Sequence, residues 1–230
     1  YCHNHRQLVH NRVPDDGRNV AVWNTEWIAD VHPWTGPSVV CHPPSWSAEH
    51  RTTFQKRSTA RTATIVNLLG EKGGPLFWRL AERCPDWRFI GVEGSYGLQN
   101  IPAPLPPNGV LARQTTDLRS VWKQTSVLLV PSWYESWALA AVEAVASGIP
   151  VVAAPTEGLR ESMVSPVHGD CAIFCEYDND DAWAAALGRL GRVSEWRKQS
   201  RLAKLRSAEL DAQTVTDLDR LDTFARGLIG

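Results

Sequence analysis

The chain has 230 residues, and its 24 basic and 25 acidic side chains leave a formal charge of -1. Near-neutrality excludes a global field that would steer the protein to nucleic acid or to a membrane surface, so any basic patch must be local. The length suits one good core with an appendage and is too short for two full-size domains.

Five cysteines, at 2, 41, 84, 171 and 175, form no Cys-x-x-Cys pair, and no apolar run reaches membrane length. This pattern reads as a reduced, cytoplasmic protein without a membrane span. The chain opens on Tyr1 instead of Met, which leaves room for residues upstream, and no signal or transit peptide is legible.

Residues 1–60 are rich in His, Trp and Pro, and only 19–23 and 38–41 read as strands. Cys2, His3, His5 and His10 have the composition of a metal site but the spacing of none, so an irregular polar segment is expected and no metal. Arg51, Lys56, Arg57 and Arg61, set against Glu49, form the local basic stretch; a solvated face is its plainer meaning.

From Thr62 onward, short apolar runs alternate with helical patterns, the signature of βαβ units and a parallel sheet covered on both faces. Residues 63–69 read as a strand, followed by a glycine-rich turn at 70–74 and a helix with Pro75 in its first turn that ends at Cys84. Strands are expected at 87–92 and near Val110, with a proline-rich surface loop between them, then a helix over 117–125. The run Val127-Leu128-Leu129-Val130 is the most continuous apolar strand and is expected at the sheet centre. A helix over 136–147 stops at Gly148, a strand follows at 150–154, another helix begins at Gly158, and 171–174 is the last strand, with Cys171 and Cys175 facing a core. Beyond Asp178 the pattern is helical, with Asn179 or Asp180, Ser194 and Thr214 as expected caps. The expected division is a reduced N-terminal segment and crossover at 1–60, a Rossmann-like core at 61–178, and C-terminal helices packing on it at 179–230.

Ligands of such sheets bind beyond the carboxyl ends of the strands, where helix N-termini present N–H groups to anions. Three loops stand there. The turn at 70–74 offers flexible backbone and the ammonium of Lys72, although a lysine in a glycine turn can equally be a solvated residue. The segment 131–144 places Glu135 before a helix and Glu143 within it, among Ala, Leu and Val. A carboxylate in so apolar a helix needs a partner: a ribose hydroxyl, a structural arginine, or an exposed stripe. The third loop, 154–161, again runs from a strand into a helix N-terminus.

Taken together these segments resemble the retaining glycosyltransferases of family 4, whose C-terminal Rossmann-like domain carries two glutamates separated by seven residues. The resemblance runs from about residue 20 to 174. Its carriers are 24–28, His42-Pro43-Pro44, Glu71-Lys72-Gly73, 85–89, 117–119, Pro131-Ser132, the spacing from Glu135 to Glu143, and 146–151. It implies a GT-B C-terminal domain in which Lys72 and Gly73 meet the donor diphosphate, Glu135 the donor sugar and Glu143 the ribose hydroxyls. The backbone of Ser136, Trp137, Ala138 and Leu139 would bind phosphate.

Four departures stand out. Ala138 occupies a position where the family usually has glycine, and Glu157 an acid position next to the donor pocket. No basic residue stands near 67–70, and nearly all of the family's N-terminal acceptor domain, with its histidine, is missing.

The expected activity is transfer of a hexose from a UDP- or GDP-sugar to a hydroxyl with retention, Glu135 and Lys72 being the catalytic pair. No metal is expected, because no Asp-x-Asp pair stands in a donor loop, and no cofactor besides the nucleotide-diphosphate sugar itself. A module that only binds donor, completed by a partner chain, a homodimer mate or a missing domain, is the alternative; another doubly wound protein such as an epimerase is a third. The acceptor class stays open, a hydroxylated base in phage-type DNA being one option beside protein, lipid and small-molecule hydroxyls.

Overall fold

A computed structural model describes residues 19–54 and 58–228. Lys56, Arg57 and the Cys2-to-His10 group therefore lie outside the described residues. The N-terminal part is a single βαβ unit, β1 (Ala21–Trp23), α1 (Glu26–Val31) and β2 (Ser38–Val40), followed by the short helix α2 (Ser47–His50). β1 and β2 pair in parallel. Their small core gathers Ala21, Trp23 and Ile28, with His32 stacked on Trp23 at 5.6 Å.

The main body alternates β3 (Thr62–Val66), α3 (Gly74–Arg83), β4 (Arg88–Val92), β5 (Gly109–Ala112), α4 (Arg119–Trp122), β6 (Val127–Val130), α5 (Leu139–Ala146), β7 (Val151–Ala153) and α6 (Glu157–Met163). A hairpin of β8 (Val164–Ser165) and β9 (Gly169–Asp170) leads to β10 (Ile173–Phe174), then to α7 (Asp180–Leu190) and α8 (Val193–Gly227). The six-stranded sheet has the order β10-β7-β6-β3-β4-β5, with every pair parallel. All four residues of β6 are buried, as a strand covered on both faces requires. Val127 and Leu129 point into the core beneath α3 and α7, whereas Leu128 and Val130 point into the opposite core with α5 and α6. Cys171 and Cys175 are buried as expected of core thiols, and burial pushes Cys175 up to about 11.

Two expectations about helices need correction. Neither Ser194 nor Thr214 is a cap: Ser194 sits inside the first turn of α8, and that helix runs through Thr214 without a break. The Thr214 hydroxyl is buried and donates to the Leu210 carbonyl at 2.9 Å, so its polar demand is met inside the helix instead of at an end. Asn179 does cap α7, accepting from Ala182 N at 3.0 Å. The helix expected over 117–125 is one turn, Arg119–Trp122.

α8 ties the βαβ unit to the main body. Its Asp217 carboxylate accepts from His42 N at 3.2 Å and lies 2.6 Å from His42 Nδ1, while His42 Nε2 lies 2.7 Å from Glu161 at the end of α6. Glu161 also accepts from Glu26 N and Trp27 N at 2.7 and 3.1 Å, capping α1. Arg206 of α8, itself buried, donates to the Glu161 and Ser162 carbonyls and so closes the C-terminal end of α6.

Burial alone would lower the His42 pKa, but hydrogen bonds and charge from Asp217 and Glu161 overturn it and raise the imidazole to about 9. A folded-state value above the unfolded 6.5 means that the stabilisation is complete below pH 6.5 and is lost as pH rises through 9. Its ceiling is about 3 kcal/mol. Denaturant unfolding from pH 6 to pH 9.5 should show wild type losing stability relative to His42→Gln across that window; a constant difference would show that His42 carries no charge in the fold.

Candidate active site

Connections from β3 run outward through β4 to β5, and those from β6 run the other way through β7 to β10. The sheet order therefore reverses between β3 and β6, and a crevice opens outside their carboxyl ends. A cavity of about 210 Å³ lies there, bounded by Val66, Asn67, Lys72, Glu135, Ala138 and Leu139 among others.

Glycine chemistry aims Lys72 into it. The chain leaves β3 through a 3-10 turn, Gly70–Lys72, and Gly73 follows with φ +86°. A Cβ at Gly73 would fall 2.3 Å from Pro131 Cγ, and one at Gly74 would fall 2.2 Å from the Leu68 carbonyl oxygen. Only bare backbone allows the turn to seat on the loop after β6. A hydrogen bond from Trp133 N to Glu71 O, 2.9 Å, fastens the two loops. Lys72 Nζ then reaches Glu135 Oε1 at 2.7 Å, and Ser132 Oγ donates to the same oxygen at 2.7 Å. Both charged side chains are largely buried.

The stretch between Glu135 and α5 is equally constrained. The expected helix over 136–147 begins only at Leu139, because Ala138 takes the left-handed conformation, φ +61° and ψ +63°. Glycine meets no steric penalty there, which gives a physical basis for its use in the resembling family. Gly158, at the start of α6, lies directly beneath: a Cβ there would be 2.3 Å from the carbonyl oxygens of both Glu135 and Ser136. Ala138, Leu139 and Ala140 line the cavity, where the first N–H groups of α5 have no acceptor within their own helix. Ser136 contributes its carbonyl oxygen to the Trp27 indole, at 3.4 Å. Trp137 turns away, buried against His42 with ring centroids 4.6 Å apart.

Glu143 stands apart from this group. One helical turn beyond Leu139, it does not line the cavity; its carboxylate faces His50 Nδ1 at 3.8 Å. Burial raises its pKa and the charge of His50 opposes the rise; the Trp122 indole lies close by, outside hydrogen-bond geometry. The structure thus brings Lys72, Glu135, Ala138 and Leu139 together, keeps Gly73 and Ser136 as backbone supports, and leaves Glu143 outside the cavity lining. Sequence reading missed Asn67 and Tyr96 at this site, and His50 beside Glu143. Asn67 enters the turn with φ +75° and accepts from Leu69 N at 3.2 Å, and no local spacing announces His50.

Residues 79–192 match the family model described as Glycosyl transferases group 1. That match covers just under half of the chain and makes it similar to the group 1 glycosyl transferases.

Curated relatives carry the name D-inositol 3-phosphate glycosyltransferase. The Mycobacteroides abscessus protein is 29% identical over 202 residues, 80% of this chain and 44% of its own length. That of Mycobacterium marinum is 35% identical over 206 residues, 81% of this chain and 42% of its own. The chain therefore spans less than half the length of these relatives. Among solved structures, Anabaena HepE in complex with UDP and glucose superposes with a TM-score of 0.76 at 16% identity, covering 96% of this chain and 66% of its own. Sucrose-phosphate synthase from Thermosynechococcus elongatus gives 0.71 at 17%, covering 91% and 58%. The fold of this chain is that of the matching part of these GT-B structures.

The contact beneath Glu135 yields a paired prediction. Gly158→Ala should push the Glu135–Ser136 backbone and cost about 1–3 kcal/mol, whereas Gly188→Ala, in α7 with nothing near its added methyl, should stabilise by about 0.5–1 kcal/mol. Denaturant midpoints of the two variants decide it; equal shifts would show that the 135–136 loop does not rest on Gly158.

Proposed function

We propose that this chain provides the donor site of a hexosyltransferase that moves a sugar from a UDP- or GDP-sugar to a hydroxyl with retention of configuration. The Lys72–Glu135 pair at the strand-order reversal, beside the N-terminus of α5, carries this reading. A sugar diphosphate is anionic at one end and rich in hydroxyls at the other. Lys72 and the α5 N–H groups suit the diphosphate, and Glu135 suits the sugar hydroxyls. Before donor arrives, Lys72 and Glu135 are each other's counter-ion; a bound diphosphate gives the ammonium a new partner and frees the carboxylate for the sugar.

In the transfer step the bond between the anomeric carbon and the leaving phosphate oxygen breaks, and the acceptor oxygen bonds to that carbon. The acceptor's proton passes to the departing phosphate. Charge on that phosphate grows as the bond breaks, so Lys72 stabilises the transition state more than the bound donor. In this reading Glu143 takes the ribose hydroxyls, beside His50. HepE, crystallised with UDP-glucose, supports the donor class by likeness of fold. No described helix is long and apolar enough to cross a membrane, and the free thiols suit work in a reducing cytoplasm.

A second reading is favoured by the chain's span of under half of its relatives and by the single βαβ unit among the described residues before β3. In it the donor site is completed for transfer by a partner chain or a further domain. Donor binding and hydrolysis then survive in this chain while transfer requires the addition.

Lys72→Ala should lower the single-turnover rate at saturating donor by about 10²-fold, with a smaller loss of donor affinity, and Lys72→Arg should recover part. An unchanged saturated rate would reduce Lys72 to a docking residue. Turnover should also survive excess EDTA, the required positive charge being built in; restoration by Mg²⁺ or Mn²⁺ after a loss would contradict this. Glu143→Ala should weaken nucleotide binding by about 1–3 kcal/mol with the fold intact, and unchanged affinity would sink the ribose assignment.

A further inference from the structure

Glu135 has a second side. Across it from the Lys72 cavity lies a larger cavity, of about 490 Å³, and Ser132 and Glu135 form the wall between the two. Its chemistry is the reverse of the first. Trp27, Trp133, Tyr134 and Tyr177 supply aromatic walls, Glu157 and Glu176 add carboxylates, and among the described residues no lysine, arginine or histidine lines it. Of the cations on the flanking elements, Lys72 reaches Glu135 in the shared wall from the other side, Arg160 lies over the Phe174 ring at 5.1 Å, and Arg79 is paired with Asp180 at 2.8 Å.

The aromatic rings are held in place. Trp133 is 63% exposed, yet Tyr177 braces it edge-on with centroids 5.0 Å apart. Trp27 and Tyr134 meet edge to face at 5.9 Å, and the Trp27 indole is hydrogen-bonded to Ser136 O. An indole that stays exposed but fixed is a platform for the C–H face of a sugar ring, because its π-face is electron-rich and loses little freedom on stacking. Carboxylates around that platform accept hydroxyl hydrogen bonds and repel anions.

We propose that this cavity seats the acceptor, and that the acceptor is a saccharide bearing no phosphate or carboxylate. The proposal rests on the donor reading above, since it needs the transferred sugar to sit at Glu135. Two reactants of opposite electrostatic character then meet at one carboxylate, the anionic donor from the Lys72 side and the non-anionic acceptor from the aromatic side. The curated relatives are named for a phosphorylated inositol, so this cavity marks a difference in acceptor from that name. The same pair of acids disfavours the phosphodiester backbone of DNA. Residues 1–60 do contribute, through Trp27 and Val31, but the other walls come from loops after β6, β7 and β10 and not from the C-terminal helices.

The test is a set of titrations read by tryptophan fluorescence and saturation-transfer NMR, with and without saturating UDP. The probes are methyl glycosides of glucose, galactose and mannose, their 2-amino counterparts, and glucose 6-phosphate. Neutral and amino glycosides should bind, and the phosphate should bind at least about 10-fold more weakly. Trp133→Ala should weaken glycoside binding about 10-fold or more with UDP affinity unchanged, Trp133→Phe should recover part, and Glu157→Gln combined with Glu176→Gln should narrow the gap to the phosphate. Glucose 6-phosphate binding as tightly as the glycosides, or Trp133→Ala leaving them unaffected, would overturn the proposal. So would UDP binding with no glycoside bound. Glycosides that bind at Trp133 in a chain unable to bind UDP would instead overturn the donor reading alone.

Discussion

His42 is one buried cation held between two carboxylates that belong to distant parts of the chain. Asp217 comes from α8, Glu161 from the end of α6, and the imidazole itself from the crossover after β2. A charge so enclosed persists only while both partners remain; removing one strands the other groups in a poorly solvated place, at a cost of about 3–5 kcal/mol. Glu161 also caps α1, so the same knot fixes the βαβ unit on the main body, and with it Trp27. The His42 ring packs on Trp137, two residues beyond Glu135. The geometry of the active-site loop is thus supported from below by Gly158 and from behind by this charge cluster.

That support matters because the working parts are few and close. Lys72 and Glu135 lie on loops from different strands and meet at 2.7 Å only because Gly73 and Gly74 let one loop settle on Pro131 and Leu68. An ion pair preformed at the mouth of a crevice spends its charge on itself until a better partner arrives. In the proposed reading a diphosphate is such a partner for the ammonium, and sugar hydroxyls for the carboxylate, so both charges are in place before the donor arrives. The two cavities that share Glu135 differ in lining, with Lys72 on one side and aromatic rings with Glu157 and Glu176 on the other.

Much of this was legible in the amino-acid sequence. Buried parallel strands are near-continuous apolar runs, and Val127 to Val130 is one, so the centre of the sheet and the crevice beside it could be placed from pattern alone. Lys72 and Glu135 were legible through a glycine turn and a glutamate spacing. What escaped was whatever depends on long-range partners: His42 and Asp217 are 175 residues apart, and nothing local joins His50 to Glu143. Thr214 misled because a threonine's hydroxyl serves equally well as a cap or as an inward bond to the preceding turn, and only packing chooses. Ala138 misled in the other direction, since alanine is the best helix former, yet here it takes a left-handed turn that delays α5 to Leu139.

The proposed grip of Lys72 and the start of α5 on a diphosphate is tested most directly by calorimetric titration of the chain with UDP, UMP and uridine. Charge neutralisation at Lys72 and the start of α5 predicts that UDP binds at least about 10-fold more tightly than UMP, with uridine weaker still, and that Lys72→Ala closes most of that gap. Equal affinities for the three ligands, or a gap that persists in Lys72→Ala, would contradict it.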